Sequence, residues 1–335
     1  MKAIVYKQHG LPAENPRSLY DTDLDKPAPG PRDLLVKIRA VAVNPVDTKV
    51  RQGSPTDHPR VLGWDAVGTV EAIGADVTLF KPGDAVYYAG SIARPGSYAE
   101  YGLVDERIAG RKPAKLTDAE AAALPLTSLT AWELLFDRLG AVEGAGAGDA
   151  LLVIGAAGGV GSMLVQLASS LTKLRVVGTA SRAETQSWVR ELGAHDVIDH
   201  SRPLLEGLRA IGLDNVRLIA SLTQTDGHYP QIVEAIAPQG RLGVIDDPEM
   251  LDAVPLKRKA VSLHWELMFT RSLFETPDMI RQHEILNRVS ALIDDGVLRT
   301  TIGEHLGTIN AENLRRAHAL IESGQTRGKL VLEGF

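Results

Sequence analysis

One stretch limits the fold more than any other. It reads Ala150-Leu151-Leu152-Val153-Ile154, then Gly155-Ala156-Ala157-Gly158-Gly159-Val160-Gly161, then Ser162 to Ala168. An apolar run of strand length passes straight into a glycine-rich loop, and the loop into a helical pattern. Bare backbone N–H groups in such a loop, with the positive end of the next helix dipole, make a seat for a pyrophosphate. Gly155, Ala157, Gly158, Gly159, Val160 and Gly161 are therefore candidate cofactor-binding residues. Gly158 is expected to let the backbone approach the phosphates, and Gly161 to let the helix pack close to the strand. Ala156 stands where the usual G-x-G-x-x-G has its first glycine, so the motif is A-x-G-x-x-G. A tight turn with no ligand is the alternative; the correct flanks on both sides weigh against it.

Strand-like runs and helical patterns alternate around this loop. The runs are Ala150–Ile154, Leu174–Thr179, Val197–Asp199, Val216–Leu222 and Arg241–Asp246; the helical stretches include Gly159–Leu171 and Ala183–Leu192. That alternation predicts a doubly wound parallel sheet of the Rossmann type, an α/β fold. In such sheets ligands bind at the carboxyl ends of the strands, which singles out Leu222, Thr223 and Asp246. An acid after the second strand would grip the 2′-OH of NAD. Here Ser181-Arg182 follows instead, and a hydroxyl beside a guanidinium suits the 2′-phosphate of NADP. His200, after the third strand, is expected in the same pocket. The alternative leaves Arg182 as a solvated helix-start residue and His200 in a loop.

The rest of the chain has a different texture. Residues before about 120 are rich in Val, Gly, Pro and Asp. Short runs at Leu34–Ala42, Ala66–Ile73 and Ala85–Tyr88 are separated by turns such as Lys81-Pro82-Gly83-Asp84. This predicts a β-rich, partly barrel-like unit. The C-terminal part predicts helices over Pro277–Asp294 and Ala311–Ser323 and a closing strand at Gly328–Leu332. With 335 residues, two domains are expected.

Charge and cysteine content exclude several classes. The 36 Lys+Arg against 42 Asp+Glu give a net charge of −6, which argues against a nucleic-acid surface or an anionic membrane. The most apolar stretch is broken by glycines, serines and Gln166, unlike a membrane helix, so a cytoplasmic location is expected. With no Cys, disulfides, Cys-ligated zinc and cysteine nucleophiles are ruled out. Ser162 is not in a G-x-S-x-G elbow, so a hydrolase has no support. Trp64, Trp132 and Trp265 read as packing residues, and His228 and His283 as surface residues.

Segments along nearly the whole chain resemble the medium-chain dehydrogenase/reductase superfamily, within it the zinc-lacking quinone oxidoreductase branch and the zinc-type alcohol dehydrogenase-like proteins. They include Val41–Thr48, Leu62–Gly68, Gly96–Tyr101, Leu124–Thr127, Thr130-Ala131-Trp132, the glycine loop, Leu192-Gly193-Ala194 and Gly328-Lys329. The resemblance implies a GroES-like catalytic domain over residues 1–122 and 271–335, a Rossmann NADP-binding domain over 123–270, and an active site in their cleft. It implies that Thr127 and Thr130 contact the nicotinamide half of the cofactor, with ordinary helix capping by Thr as the alternative. It also implies a homodimer joined through the edge strand near residues 260–269.

In zinc-dependent relatives the catalytic ligands would stand at Asn44, at Trp64 and near Leu126. None of the three is a zinc-binding residue type, and the Cys-rich structural lobe is missing, so no zinc is expected. A rescued metal site using Asp47, His58 or Asp65 is the competing reading. Without a Lewis acid, hydride transfer from NADPH needs an acceptor activated by its own conjugation, such as a quinone or an α,β-unsaturated carbonyl. Asn44 is the expected hydrogen-bond donor to the oxygen that gains charge, with a turn cap before Pro45 as the alternative. Asp47 is expected to order the same loop. Lys49 stands where several relatives have a substrate-contacting Tyr and is the third catalytic candidate, a cation for an enolate or hydroquinone anion, with a solvated Lys as the equal alternative. Two other functions stay open: a carbonyl reductase or alcohol dehydrogenase with an unusual metal site, and an NADPH-binding protein without turnover.

Overall fold

The computed structural model describes all 335 residues, which form two compact units. The first comprises Met1–Leu129 and Phe269–Phe335; the second comprises Thr130–Met268.

The second unit is a six-stranded parallel sheet. Its spatial order is Asp196–Ile198, Arg175–Thr179, Ala150–Ile154, Val216–Ser221, Ile236–Val244 and Ser262–Trp265. Numbered along the chain, that order is 3-2-1-4-5-6, the arrangement of dinucleotide-binding sheets. The strands are apolar on both faces because helices cover both. Ala150–Ile154 is buried throughout, and Leu152, Ile154, Val177, Ile219, Leu242 and Val244 share one core cluster. The order reverses between the first and fourth strands, so a crevice opens where Ile154 and Ser221 end side by side.

The first unit is mostly antiparallel. Lys2–Tyr6 pairs with Tyr20–Asp23 and with Arg60–Val61 in a small sheet. A seven-stranded sheet is built around Asp33–Val43, whose burial is nearly continuous. Ala66–Ile73, Tyr101–Asp105 and the C-terminal strand Lys329–Glu333 all pair with it antiparallel. The register decides what meets at its carboxyl end. Val41 lies opposite Ala66 and Val43 opposite Leu330, so Asp65 and Lys329 are both delivered beside Asn44.

Several elements differ from expectation in their limits. The fifth parallel strand begins at Ile236, ahead of the expected Arg241, and absorbs Pro238-Gln239-Gly240 through a register shift opposite Val216–Leu218. Gln239 takes φ +59° there, so the proline sits at an irregularity rather than in a regular ladder. The helix expected from Pro277 starts at Arg281. Only Ser262–Trp265 of the expected edge segment is strand. Trp64 and Trp132 pack inside, but Trp265 is 52% exposed on that edge strand, against its expected packing role. His283 and His228 are half-buried, not on the surface. His283 Nδ1 lies 2.7 Å from the Ala109 carbonyl and Nε2 is 2.9 Å from Asn287 Nδ2.

Candidate active site

At the end of Asp33–Val43 the chain turns into the helix Pro45–Gly53. Asn44 is its N-cap, Pro45 supplies the fixed φ favoured at the first helical position, and Asp47 Oδ2 accepts the Asn44 backbone N–H at 2.8 Å. The side chains here are buried and interlocked. Asn44 Nδ2 donates to Asp65 Oδ2 at 2.8 Å and to the Trp64 carbonyl at 3.4 Å. Lys329 Nζ donates to Asn44 Oδ1 and to the Val43 carbonyl, and lies 3.0 Å from Asp65 Oδ2. The other Asp65 oxygen accepts the Leu126 N–H at 2.7 Å. Asn44, Asp47, Asp65 and Lys329 are all at most 3% exposed.

This arrangement bears on two of the catalytic candidates. Asn44 is not a free amide: its donors already have acceptors, one close and one at the long limit of a hydrogen bond. Lys49 lies exposed on the helix surface, while Asp47 points inward. The Tyr98 hydroxyl donates to Asp47 Oδ2 at 2.8 Å, and Asp47 Oδ1 has no partner. Burial pushes the Asp47 carboxyl up to about 7, against the pull of the Asn44 N–H, Tyr98 and Lys329. Burial also raises Asp65, with Lys329 pulling the other way. Tyr98 is held well above its ordinary value by burial and by Asp47, so it stays a donor.

A second buried set adjoins Tyr98. Its ring meets His318 edge-on at 6.1 Å between centroids, and Arg51 Nε donates to His318 Nδ1 at 3.2 Å. Arg51 also reaches Glu322 and the Leu11 carbonyl. Burial, reinforced by Arg51, pushes His318 down to about 3, so its ring is neutral.

The residues do not fit a zinc ion. The Trp64 indole N–H donates to the Ser91 carbonyl at 3.1 Å and offers no lone pair. Leu126 contributes a backbone donor, Asn44 is committed, and an ammonium group already sits on Asp65. No three His, Cys, Asp or Glu residues converge in a metal-holding group.

In the parallel-sheet unit, the loop Gly155–Gly158 leads into the helix Gly159–Leu171. Gly155 has φ +82°, and a Cβ there would stand 2.9 Å from Thr223 Cγ2 and 3.6 Å from Leu222 Cβ. The glycine loop and the end of the fourth strand thus flank the crevice together. A Cβ on Gly161 would meet the Gly155 carbonyl oxygen at 2.3 Å, so helix and strand pack too closely for any side chain. Gly158 is different: a Cβ would meet only the Gly155 oxygen, at 3.5 Å. Protein packing alone does not require that glycine. Ala156 is tolerated because Gly178 faces it, where a Cβ would come within 3.0 Å of Ala156 Cβ. The amides of Gly159, Val160 and Gly161 lie in the first helical turn, where N–H groups have no intrahelical acceptor.

Of the remaining candidates, Ser181, Arg182, His200, Leu222, Thr223 and Asp246 follow the ends of the parallel strands. Ser181 is exposed, and Arg182 caps the helix Ala183–Glu191. His200 is half-buried, with its ring edge-on to His228 at 5.9 Å and Nδ1 unpartnered. Thr223 is exposed and Leu222 half-buried. Asp246 holds the turn after them, accepting the Thr225 N–H at 2.9 Å and the Thr225 hydroxyl. Thr127 and Thr130 are buried on the helix Pro125–Trp132. Thr127 does not cap that helix: its hydroxyl donates back to the Ala123 and Leu124 carbonyls at 3.3 and 3.1 Å. Tyr98 and Lys329 were not singled out as site residues, and Asp65 only as a ligand of the competing metal site. Their signal in the sequence was membership of the recurring segments Leu62–Gly68, Gly96–Tyr101 and Gly328-Lys329.

Comparison with known proteins agrees with this geometry. Residues 30–114 match the alcohol dehydrogenase GroES-like domain, and residues 192–332 match the zinc-binding dehydrogenase family. A zinc-type alcohol dehydrogenase-like protein of Staphylococcus aureus is 43% identical over 310 residues, 92% of each chain. A crystal structure from Rhizobium etli, named for zinc-dependent alcohol dehydrogenase, is 56% identical, covers 100% of this chain and 98% of its own, and superposes with a TM-score of 0.96. Escherichia coli quinone oxidoreductase in complex with NADPH is 25% identical, with 99% and 100% coverage and a TM-score of 0.84. No helix is long and apolar enough to cross a membrane. The chain belongs to the medium-chain dehydrogenase/reductase superfamily and is an oxidoreductase of that type.

Proposed function

We propose that the protein is an NADPH-dependent, zinc-independent reductase that transfers hydride to quinones or α,β-unsaturated carbonyl compounds. The observation that carries this reading is the Lys329 ammonium group on Asp65 and Asn44. An ion pair of the chain's own side chains fills the polar centre that a catalytic metal would need. Without a Lewis acid, an alcohol or simple ketone is a poor partner, whereas a conjugated acceptor accepts hydride readily once positioned.

NADPH, when bound, supplies the hydride. The backbone from Gly155 through Ala157 to Gly161 receives its pyrophosphate, with Leu222 and Thr223 forming the facing wall. Ser181 and Arg182, with His200 nearby, bind the 2′-phosphate through charge-assisted hydrogen bonds. Asp246 keeps the Thr223 turn in place through Thr225. The roles of Thr127 and Thr130 beside the nicotinamide rest on family resemblance, as does that of Lys49. The Escherichia coli relative's complex with NADPH supports this choice of cofactor.

Asn44 donates to the acceptor oxygen. Its N–H on Asp65 is short and fixed, but its N–H on the Trp64 carbonyl, at 3.4 Å, is weakly held and exchangeable. Lys329 on Asn44 Oδ1 polarises the amide and strengthens that donor. Asp47 acts as a positioning residue by holding the Asn44 backbone. We further propose a homodimer formed along Ser262–Trp265, an outer strand with exposed Trp265 and, just beyond its end, exposed Leu267.

The test is NADPH oxidation at 340 nm with a panel of quinones and enones before and after chelation. Activity that survives chelation supports the reading. Activity lost on chelation and restored by zinc overturns it and favours a metal-dependent alcohol dehydrogenase.

A further inference from the structure

The β-rich unit contains a cavity that the reductase reading does not use. Its volume is about 540 Å³, within the range of roughly 300–1,000 Å³ common for small-molecule sites. Leu24, Pro27, Pro59, Val61, Pro95 and Leu103 make much of its wall, so most of the surface offered to a ligand is apolar and stiff.

Two arginines line this wall, and they differ. Arg94 is neutralised by Asp33, with its two Nη atoms 2.7 and 2.8 Å from the two carboxylate oxygens. Arg60 is half-buried and makes no ion pair with any Asp or Glu. Its Nη2 donates to the Ile92 carbonyl at 2.9 Å, and its guanidinium carbon lies 5.9 Å from the Trp64 ring centroid. Five N–H donors on one planar fork leave most of its donors available. His58 lies on the same wall, while the carboxylate of Asp25 is exposed at its margin.

We propose that this cavity binds a small organic monocarboxylate, its carboxylate on Arg60 and its apolar body against the proline-rich wall. The charge count selects the ligand class. A planar guanidinium matches the two oxygens of a carboxylate, and charge-assisted pairs of this kind are among the stronger hydrogen bonds. One unpaired guanidinium balances one negative charge. The Met1 ammonium group, which donates to the Leu24 carbonyl at 2.7 Å, and the Asp25 carboxylate at the margin offset each other, so the second charge of a phosphate dianion would find only a protonated His58 to meet it. The apolar wall rewards a ring or short chain on the acid and rejects inorganic anions, which bury no apolar surface.

Calorimetric titration of the full-length protein with 1-naphthoate and with its uncharged counterpart 1-naphthalenemethanol tests the proposal. The acid is expected to bind at one site per chain and at least about ten-fold more tightly than the alcohol. Arg60→Met, which keeps an apolar stem, is expected to abolish that preference. Ala93→Trp, which fills the cavity from an exposed turn and leaves Arg60 in place, is expected to abolish binding of both and decides the matter if the Arg60 variant does not fold. Equal affinity for acid and alcohol, no measurable binding of the acid, or unchanged binding in either variant overturns the proposal. Displacement of naphthoate by NADPH also overturns it, by locating the anion at the glycine loop. The outcome is independent of whether any quinone or enone is reduced.

Discussion

Lys329 Nζ lies 3.0 Å from Asp65 Oδ2, and both side chains are buried, although they are separated by most of the chain. The pair exists because one strand, Asp33–Val43, pairs with Ala66–Ile73 on one side and Lys329–Glu333 on the other. Removing one partner leaves an uncompensated buried charge, at a typical cost of about 3–5 kcal/mol. Lys329→Met is therefore expected to lower stability by that order, measured as a shift of the urea midpoint. Asp65→Asn with Lys329→Met together should be less destabilising than the sum of the single changes, since neither charge is then stranded.

Asp47 makes stability depend on pH in a defined direction. Its carboxyl titrates near 7 in the folded chain, raised by burial from an ordinary 3.8. Between those values the folded state keeps a proton that the unfolded state releases, so this group's contribution weakens as pH rises, by up to about 1.4 kcal/mol per unit. Above the folded value the loss is complete and the contribution is flat. Asp47→Asn removes this titration while retaining an oxygen for the Asn44 and Tyr98 donors. The parent's stability minus the variant's is expected to fall from about pH 4 to about pH 7 and then level off, as followed by urea unfolding across that range. A difference that does not change with pH would mean that Asp47 is ionised in the fold.

The two halves of the structure were not equally legible in the sequence. Ala150–Ile154 and Gly159–Leu171 were readable to their ends because a continuous apolar run, glycine punctuation and a change of period mark them locally. Asn44 was singled out in the sequence, but its partners were not readable. Lys329 is 285 residues away, and only strand register brings it there. No local spacing encodes that meeting. Trp265 was misread for a related reason: an indole on an edge strand and one on an inner strand look alike until the strand order is known. His283 resembled a surface residue because its partner, the Ala109 carbonyl, comes from a distant strand.

Gly158 and Gly161 separate ligand contact from packing within one motif. A Cβ on Gly161 collides with backbone at 2.3 Å, so Gly161→Ala should move the helix and lower the melting temperature as well as weaken NADPH binding. A Cβ on Gly158 meets ordinary contact distance, so Gly158→Ala should melt close to the parent yet bind NADPH about ten-fold more weakly. Differential scanning calorimetry with fluorescence titration of NADPH distinguishes the two. Equal NADPH affinity in Gly158→Ala and parent would remove the cofactor from this loop.

Arg182 should determine which nicotinamide cofactor is preferred. A hydrogen bond to a charged group is worth about 1.5–3 kcal/mol, or roughly ten-fold to a hundred-fold in affinity. Arg182→Ala is therefore expected to raise the KM for NADPH by about that factor while leaving the KM for NADH within about two-fold, because NADH lacks the 2′-phosphate. The loss should shrink at high salt if the contact is solvent-exposed, as the position of Arg182 implies. Parallel increases for both cofactors would mean that the residue acts through the start of the helix Ala183–Glu191 instead.

Asn44 carries the chemical part of the reductase reading. Asn44→Ala removes the donor to the acceptor oxygen and also takes one of several hydrogen-bond partners from each of Lys329 and Asp65. Loss of one oxyanion donor commonly costs about a hundred-fold to a thousand-fold in kcat. The expected result is a fall of that size in kcat with the NADPH dissociation constant unchanged, since the cofactor seat is built from other residues. Asn44→Gln keeps an amide but moves it by one methylene, and should recover little. The decisive comparison is across acceptors. A quinone that carries its own strong activation should suffer less from Asn44→Ala than a simple enone, whose enolate oxygen depends on the donor. An equal loss for both acceptors would assign Asn44 to holding the Lys329–Asp65 pair rather than to the acceptor.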